Sequence, residues 1–182
     1  QAFLAPKIKK EMEKAVELDP NYAEARAALT QLYVMLPGIM GGSIEKAKGQ
    51  AEALTKLDAY RGFVAYASIY DHEEDWKAAE EYYKKAIATE PQKATAHHQL
   101  GYMYLKQKRT QEAVEQFKKM VEYDPDNANS YDSLGDGLLA DNKLDEAIDA
   151  YKKAVSIDSN FAPSVSSLAK CYEKKNLKQD AK

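Results

Sequence analysis

The feature that most constrains this 182-residue chain is a period. Glu90-Pro91 and Asp124-Pro125 stand 34 residues apart, and the residues around them recur in phase. Leu100-Gly101 returns as Leu134-Gly135, Ala113 as Ala147 and Phe117 as Tyr151. Within residues 94–125, Leu100, Gly101 and Tyr104 share one helical face, and Ala113, Phe117 and Met120 share the next. That spacing predicts two short amphipathic helices joined by a polar turn. A helix pair repeated at fixed period buries its apolar faces by stacking on its neighbours, so the chain is a repeat array and not a shell around one centre.

Taken in order, residues 3–17 form the first predicted helix, with Ile8, Met12, Ala15 and Val16 at helical spacing before Asp19-Pro20 stops it. The next helix, over residues 22–35, offers Ala25, Leu29, Leu32 and Tyr33 for packing. It is followed by an insertion of about five residues relative to the period, Leu36-Pro37-Gly38-Ile39-Met40-Gly41-Gly42-Ser43, whose glycines permit positive φ. Ser43 is placed to cap a helix over residues 44–57. From Tyr60 onward three units follow in register. The first carries Phe63, Tyr66, Ala67 and Tyr70, then Trp76, Ala79, Tyr83 and Ala86. In the third, Gly135 and Gly137 each cost about 1 kcal/mol relative to Ala inside a helix. Close packing explains Gly135, and Gly137 has no assignment from sequence. A last first-type helix is expected over residues 162–175, with a turn at Asn176 into its partner, which would put Ala181 in phase with Ala147 and Ala113.

This period and residue order resemble the tetratricopeptide repeat, a helix-turn-helix unit, with the strongest match over residues 60–161. The resemblance implies an all-α, right-handed superhelical solenoid of about ten helices. Residues 1–182 then form one repeat domain: a half repeat 1–20, a repeat with the insertion 21–59, repeats 60–93, 94–127 and 128–161, and a partial repeat 162–182. The chain opens and closes inside repeats, which leaves two readings open: the last helix is a polar cap, or the chain is a piece of a longer array.

In that family the first helix of each unit lines a concave groove that holds a peptide or partner. Carried onto this chain, the groove positions include Arg61 and Ser68, His98 and Tyr102, Asp132 and Asp136, and Lys170. Members that bind the acidic tails of heat-shock chaperones present Lys and Asn at such positions; Val64, Ser68, His98, Tyr102, Asp132 and Asp136 stand there instead, so that role is not expected. These residues leave two readings: a ligand that would set an apolar or aromatic group on Tyr102 and a basic group against Asp132 and Asp136, or solvated surface residues that happen to face inward.

The remaining signals exclude more than they assign. Charges are interleaved, 26 basic against 29 acidic, which forecasts neither nucleic acid nor an anionic membrane as partner. No apolar run reaches the ~18 residues of a membrane span. The single cysteine, Cys171, forms no internal disulfide and falls at a packing phase. His97 and His98 are adjacent, about 100° apart on a helix, so they do not face one ion, and His97 falls at a packing position. No nucleophile has a base beside it, so neither an enzyme nor a cofactor is expected.

The reading is a non-enzymatic protein-protein interaction scaffold that binds a protein or peptide through its groove. The alternatives are a spacer within a larger protein and a small-ligand or transport-accessory protein of the bacterial envelope. The second rests on the Pro37–Ser43 stretch, which looks like loops of exported bacterial repeat proteins; an enclosed pocket beside Tyr33, Met35 and Ile39 would favour it. Compartment, periplasm or cytoplasm, and homo-oligomer formation are open.

Overall fold

The computed structural model describes residues 4–180, with side chains to Asn176, so Phe3 and Ala181 lie outside the described residues. Every regular element among them is helical, in two compact units, Gln1–Pro91 and Gln92–Lys182. The first unit holds α1 (Leu4–Leu18), α2 (Ala23–Met35), α3 (Ile44–Leu57), α4 (Ala59–His72) and α5 (Trp76–Thr89), with a 3-10 turn at Gly38–Met40. The second holds α6 (Ala94–Lys106), α7 (Thr110–Tyr123), α8 (Ala128–Ala140), α9 (Leu144–Ile157) and α10 (Ala162–Asp180). Within each unit, helices adjacent in sequence pack as antiparallel hairpins: α2 on α3, α4 on α5, α6 on α7 and α8 on α9.

The helix boundaries follow from caps. Ser43 Oγ accepts from the Lys46 amide at 3.2 Å, Asp58 from the Arg61 amide at 2.9 Å and Asp75 from the Ala78 amide at 3.2 Å. Asp58 alone joins α3 to α4, replacing the proline that closes other units: its own amide bonds to the Leu54 carbonyl while its side chain caps the next helix. The turns inside three hairpins are the same device repeated. Glu74, Lys108 and Asn142, again 34 residues apart, take φ of 58°, 61° and 62°. The residue after each returns its amide to a carbonyl five positions back, Asp75 to Tyr70, Arg109 to Tyr104 and Lys143 to Leu138.

The insertion after α2 is a self-satisfied loop. Amides of Met40 and Gly42 bond to the Pro37 carbonyl, Gly41 to Gly38 and Ser43 to Tyr33. Gly41 sits at φ 86°, and a Cβ on Gly42 would stand 1.7 Å from the Leu36 carbonyl oxygen, so both positions require glycine. Lys9 of α1 closes over the loop, its Nζ donating to the Gly41 carbonyl at 3.4 Å.

Cores form where second helices press an aromatic ring onto small residues of first helices. Phe117 of α7 is fully buried against Gly101 of α6 and Gly137 of α8: a Cβ on Gly101 would stand 2.4 Å from its ring, and one on Gly137 2.9 Å. That contact is the reason for Gly137. Tyr151 of α9 presses on Gly135 in the same way, at 2.5 Å. Leu29, Tyr33, Leu54 and Ile69 are buried with Ala47, Ala51 and Ala65 in the first unit. His97 is packed, 4% exposed, with Nδ1 2.9 Å from Gln116 Oε1, and Cys171 of α10 is buried in a cluster with Leu138, Ile148 and Tyr151.

One expectation fails. No turn forms at Asn176; α10 runs unbroken to Asp180. Residues 170–180 contain neither Gly nor Pro, and Asn in a helix interior costs only about 0.7 kcal/mol relative to Ala, too little to end a helix unaided.

Two helical glycines should respond to alanine in opposite senses. At Gly62 of α4 a Cβ would meet backbone of Thr55 at 2.4–2.5 Å, whereas at exposed Gly49 of α3 nothing lies within 4 Å. Gly62→Ala is expected to destabilise by about 3 kcal/mol through forced separation of α3 and α4. Gly49→Ala is expected to stabilise by about 1 kcal/mol through helix propensity. Chemical denaturation of both variants checks the pair.

Candidate functional site

The second unit gathers most of the groove residues read from sequence. Asp132 and Asp136 lie one turn apart on α8, four residues along one helical face. Tyr102, from α6, donates its hydroxyl to Asp136 Oδ2 at 2.7 Å; Tyr151, from α9, donates to Oδ1 of the same carboxylate, also at 2.7 Å. Ser164, from α10, donates to Asp132 Oδ1 at 2.6 Å. Beside them the His98 ring lies 4.8 Å from the Tyr102 ring, which meets Phe117 edge-on at 5.1 Å on another side. Thus α6, α8, α9 and α10 all converge on two acidic side chains.

Asp132 is 7% exposed because α10 crosses its carboxylate with Ser164. Burial raises its pKa above the ordinary aspartate value, the Ser164 hydrogen bond opposes the rise, and the negative charge of Asp136 adds to it. Burial, followed by the bond to Asp136, also pushes the Tyr102 and Tyr151 hydroxyls well above the usual phenol range, so both stay protonated donors. Burial lowers His98 below the ordinary imidazole value against a weaker pull from Asp136, which keeps the ring neutral at pH 7. Among the described residues no lysine or arginine forms an ion pair with either aspartate.

The other sequence-derived residues take no part in these hydrogen bonds. Lys170 is exposed on α10. Arg61 and Ser68 are half-buried on α4 of the first unit, and Arg61 is engaged there, pairing with Glu24 at 2.6 Å and Asp58 at 3.2 Å. Two members of the cluster escaped the sequence reading. Tyr151 occupies the packing phase that Phe117 fills one repeat earlier, and its extra hydroxyl, which needs an acceptor when buried, was the available signal. Ser164 gave none.

The glycine-rich loop is not an anion nest, because its amides are spent inside the loop. Met35 and Ile39 point to solvent, 77% and 98% exposed, and so wall no closed pocket with buried Tyr33. A separate open cleft of about 370 Å³ lies on the first unit between Thr55, Phe63, Tyr66 and Tyr82. Among the described residues no group of three or more His, Cys, Asp or Glu is placed to hold a metal ion, and no helix is long and apolar enough to cross a membrane.

Two tetratricopeptide-repeat family models match the sequence, one over residues 72–134 and one over residues 128–161. No curated protein matches it. Among solved structures, TTC0263, a thermophilic TPR protein of Thermus thermophilus, is similar at a TM-score of 0.74 and 19% identity, over 90% of this chain and 88% of that one. YrrB, described as a TPR protein with an unusual peptide-binding site, gives 0.60 at 22% identity over 87% and 80% of the two chains. The first TPR of Spaghetti (RPAP3), bound to the HSP90 peptide SRMEEVD, gives 0.59 at 17% identity over 64% of this chain and 93% of that one. At these identities the likeness is one of fold.

Asp132→Asn keeps the oxygen that Ser164 donates to and removes the charge. A buried aspartate with a raised pKa destabilises the fold once ionised, so this cost is absent at low pH, where the carboxyl is neutral, and grows as pH rises through and just above the ordinary aspartate value. Thermal unfolding of Asp132→Asn should therefore match the parent near pH 3. It should exceed the parent by a few degrees, about 1 kcal/mol for a chain of this size, at pH 7.

Proposed function

Because the chain belongs to the tetratricopeptide-repeat family, we propose that it is a non-enzymatic protein-interaction module that holds an extended peptide or a partner's surface against its first helices. The observation that carries this reading is the division of labour within the second unit. The second helices α7 and α9 spend their large side chains, Phe117 and Tyr151, on the core. The first helices α6, α8 and α10 keep Thr95, His98, Tyr102, Asn129, Asp136 and Lys170 partly or fully at the surface. Arg61 and Ser68 hold the corresponding positions on α4 of the first unit. A row of side chains held by rigid helices loses little freedom when a ligand arrives, which favours recognition of a flexible segment. The solved relatives in which peptide binding is described, YrrB and RPAP3, support the class of ligand and leave its sequence open.

The test is a displayed random-peptide library panned against the whole protein, followed by titration of the recovered peptides. Thr95→Trp and Lys170→Trp, both at exposed positions of the row, should block access and weaken binding by at least about tenfold, or 1.4 kcal/mol. Lys118→Ala, at an exposed position of α7, should leave binding unchanged. Equal loss in all three variants, or in none, contradicts use of the first-helix row.

A further inference from the structure

We propose that the first unit carries a separate binding site, on the side of α4 opposite Arg61 and Ser68, which takes an uncharged proline-rich segment of a partner in polyproline II conformation. The site is the open cleft of about 370 Å³ over Phe63, Tyr66 and Tyr82. Phe63, Tyr66 and Tyr70 lie at i, i+3 and i+7 of α4 and share one face. Positions two apart on a helix point about 200° from one another, so that face is turned away from Arg61 and Ser68. All three rings are half-buried, as is Tyr82 of α5. The Tyr82 ring meets each of them: Tyr66 stacked at 4.9 Å, Tyr70 stacked at 5.5 Å and Phe63 tilted at 6.3 Å.

The charges around the cleft disfavour an ionic ligand. Lys85 lies over the Tyr82 ring at 4.6 Å and Lys48 over the Tyr70 ring at 4.9 Å, so a basic side chain meets like charge at those rings. Each rim lysine is itself answered: Lys48 by Glu73 at 2.9 Å, Lys56 by Glu52 at 2.9 Å and Lys85 by Glu81 at 2.7 Å. An acidic ligand would have to displace a glutamate. Ring surface and hydroxyls are what the cleft offers instead. Tyr33, Tyr102 and Tyr151 spend their hydroxyls on carboxylates of the fold, whereas those of Tyr66, Tyr70 and Tyr82 bond to none of the described residues. Burial, then the negative charge of Glu52, raises the Tyr66 hydroxyl above the usual phenol value, so it is a protonated donor at pH 7.

A polyproline II helix fits both features. It has no internal hydrogen bonds, so its carbonyls can accept from phenol hydroxyls, and proline-rich segments of this form dock in aromatic-lined grooves. It turns every three residues at ~3.1 Å each, about 9 Å, against about 10 Å along α4 from Phe63 to Tyr70 at ~1.5 Å per residue. Ligand residues three apart therefore meet the two ends of the aromatic row. The extended form is preset in such segments, so little freedom is lost on binding.

The probe is a terminally capped decamer of L-proline, titrated into the whole isotope-labelled protein and followed by amide NMR. The controls are the D-proline decamer, of the same composition and opposite helical hand, and a glycine-serine decamer. The L form should bind at least about tenfold tighter than either control, shift amides of α4 and α5, and keep its affinity as salt is raised. Tyr66→Phe and Tyr82→Phe together keep the rings and remove unspent hydroxyls; they should weaken binding at least about fivefold with helicity unchanged by circular dichroism. Thr95→Trp, on α6, should leave it unchanged. No binding of the L form, equal binding of the L and D forms, or loss of binding in Thr95→Trp but not in the tyrosine pair overturns the site. A tenfold loss of affinity with added salt overturns the uncharged class of ligand. The groove reading is tested separately by the peptide library and stands or falls on that result.

Discussion

The seating of a large second-helix ring on first-helix glycine is the contact on which the rest of the second unit depends. Phe117 reaches Gly101 on one side and Gly137 on the other, so a single ring fixes the approach of α7 to both α6 and α8. A methyl group at either glycine would push the helices apart, because packed interiors have no slack to absorb it. With that approach set, each first helix has one face committed to packing and another left over. The leftover faces of α6, α8 and α10 carry the candidate site.

The same seat explains how the site acquired its chemistry. One repeat after Phe117 the seat holds Tyr151, which fills the same space against Gly135 and adds a hydroxyl. A buried phenol needs an acceptor, and Asp136 supplies it. Asp136 also takes the Tyr102 hydroxyl, while Asp132 takes the Ser164 hydroxyl. A buried carboxylate can be held by neutral donors, by a cation or by both. Among the described residues the donors that reach these carboxylates are neutral hydroxyls. In the first unit Arg61 shows the contrasting case, a groove-position charge already answered by Glu24 and Asp58.

Much of the helix plan was legible because helical period, proline stops and capping residues act over a few neighbours. Ser43, Asp58 and Asp75 cap through amides three residues ahead, a relation that needs no knowledge of the fold. The positive-φ turns at Glu74, Lys108 and Asn142 were not legible, since two of the three residue types give no sign of a left-handed backbone; the packed hairpin imposes it. The absent turn at Asn176 went the other way, a period extrapolated where no residue ends a helix. Of the site, the positions of His98, Tyr102, Asp132 and Asp136 were read by phase. Their partners were not, because Tyr151 and Ser164 lie 15 residues from Asp136 and 32 from Asp132.

The sequence by itself determined that this chain is a series of helical hairpins and which residues of each helix are apolar. Those properties follow from local geometry, about 3.6 residues per turn and a fixed repeat. Only the tertiary structure decided that Asp132 is buried, that Asp136 is bracketed by two tyrosine hydroxyls, that Gly137 exists to admit Phe117 and that the loop amides of residues 40–43 are already used. Each of these depends on which helix lies across a side chain, and a helix from a neighbouring repeat changes solvation, charge and hydrogen bonding at a position without altering its phase.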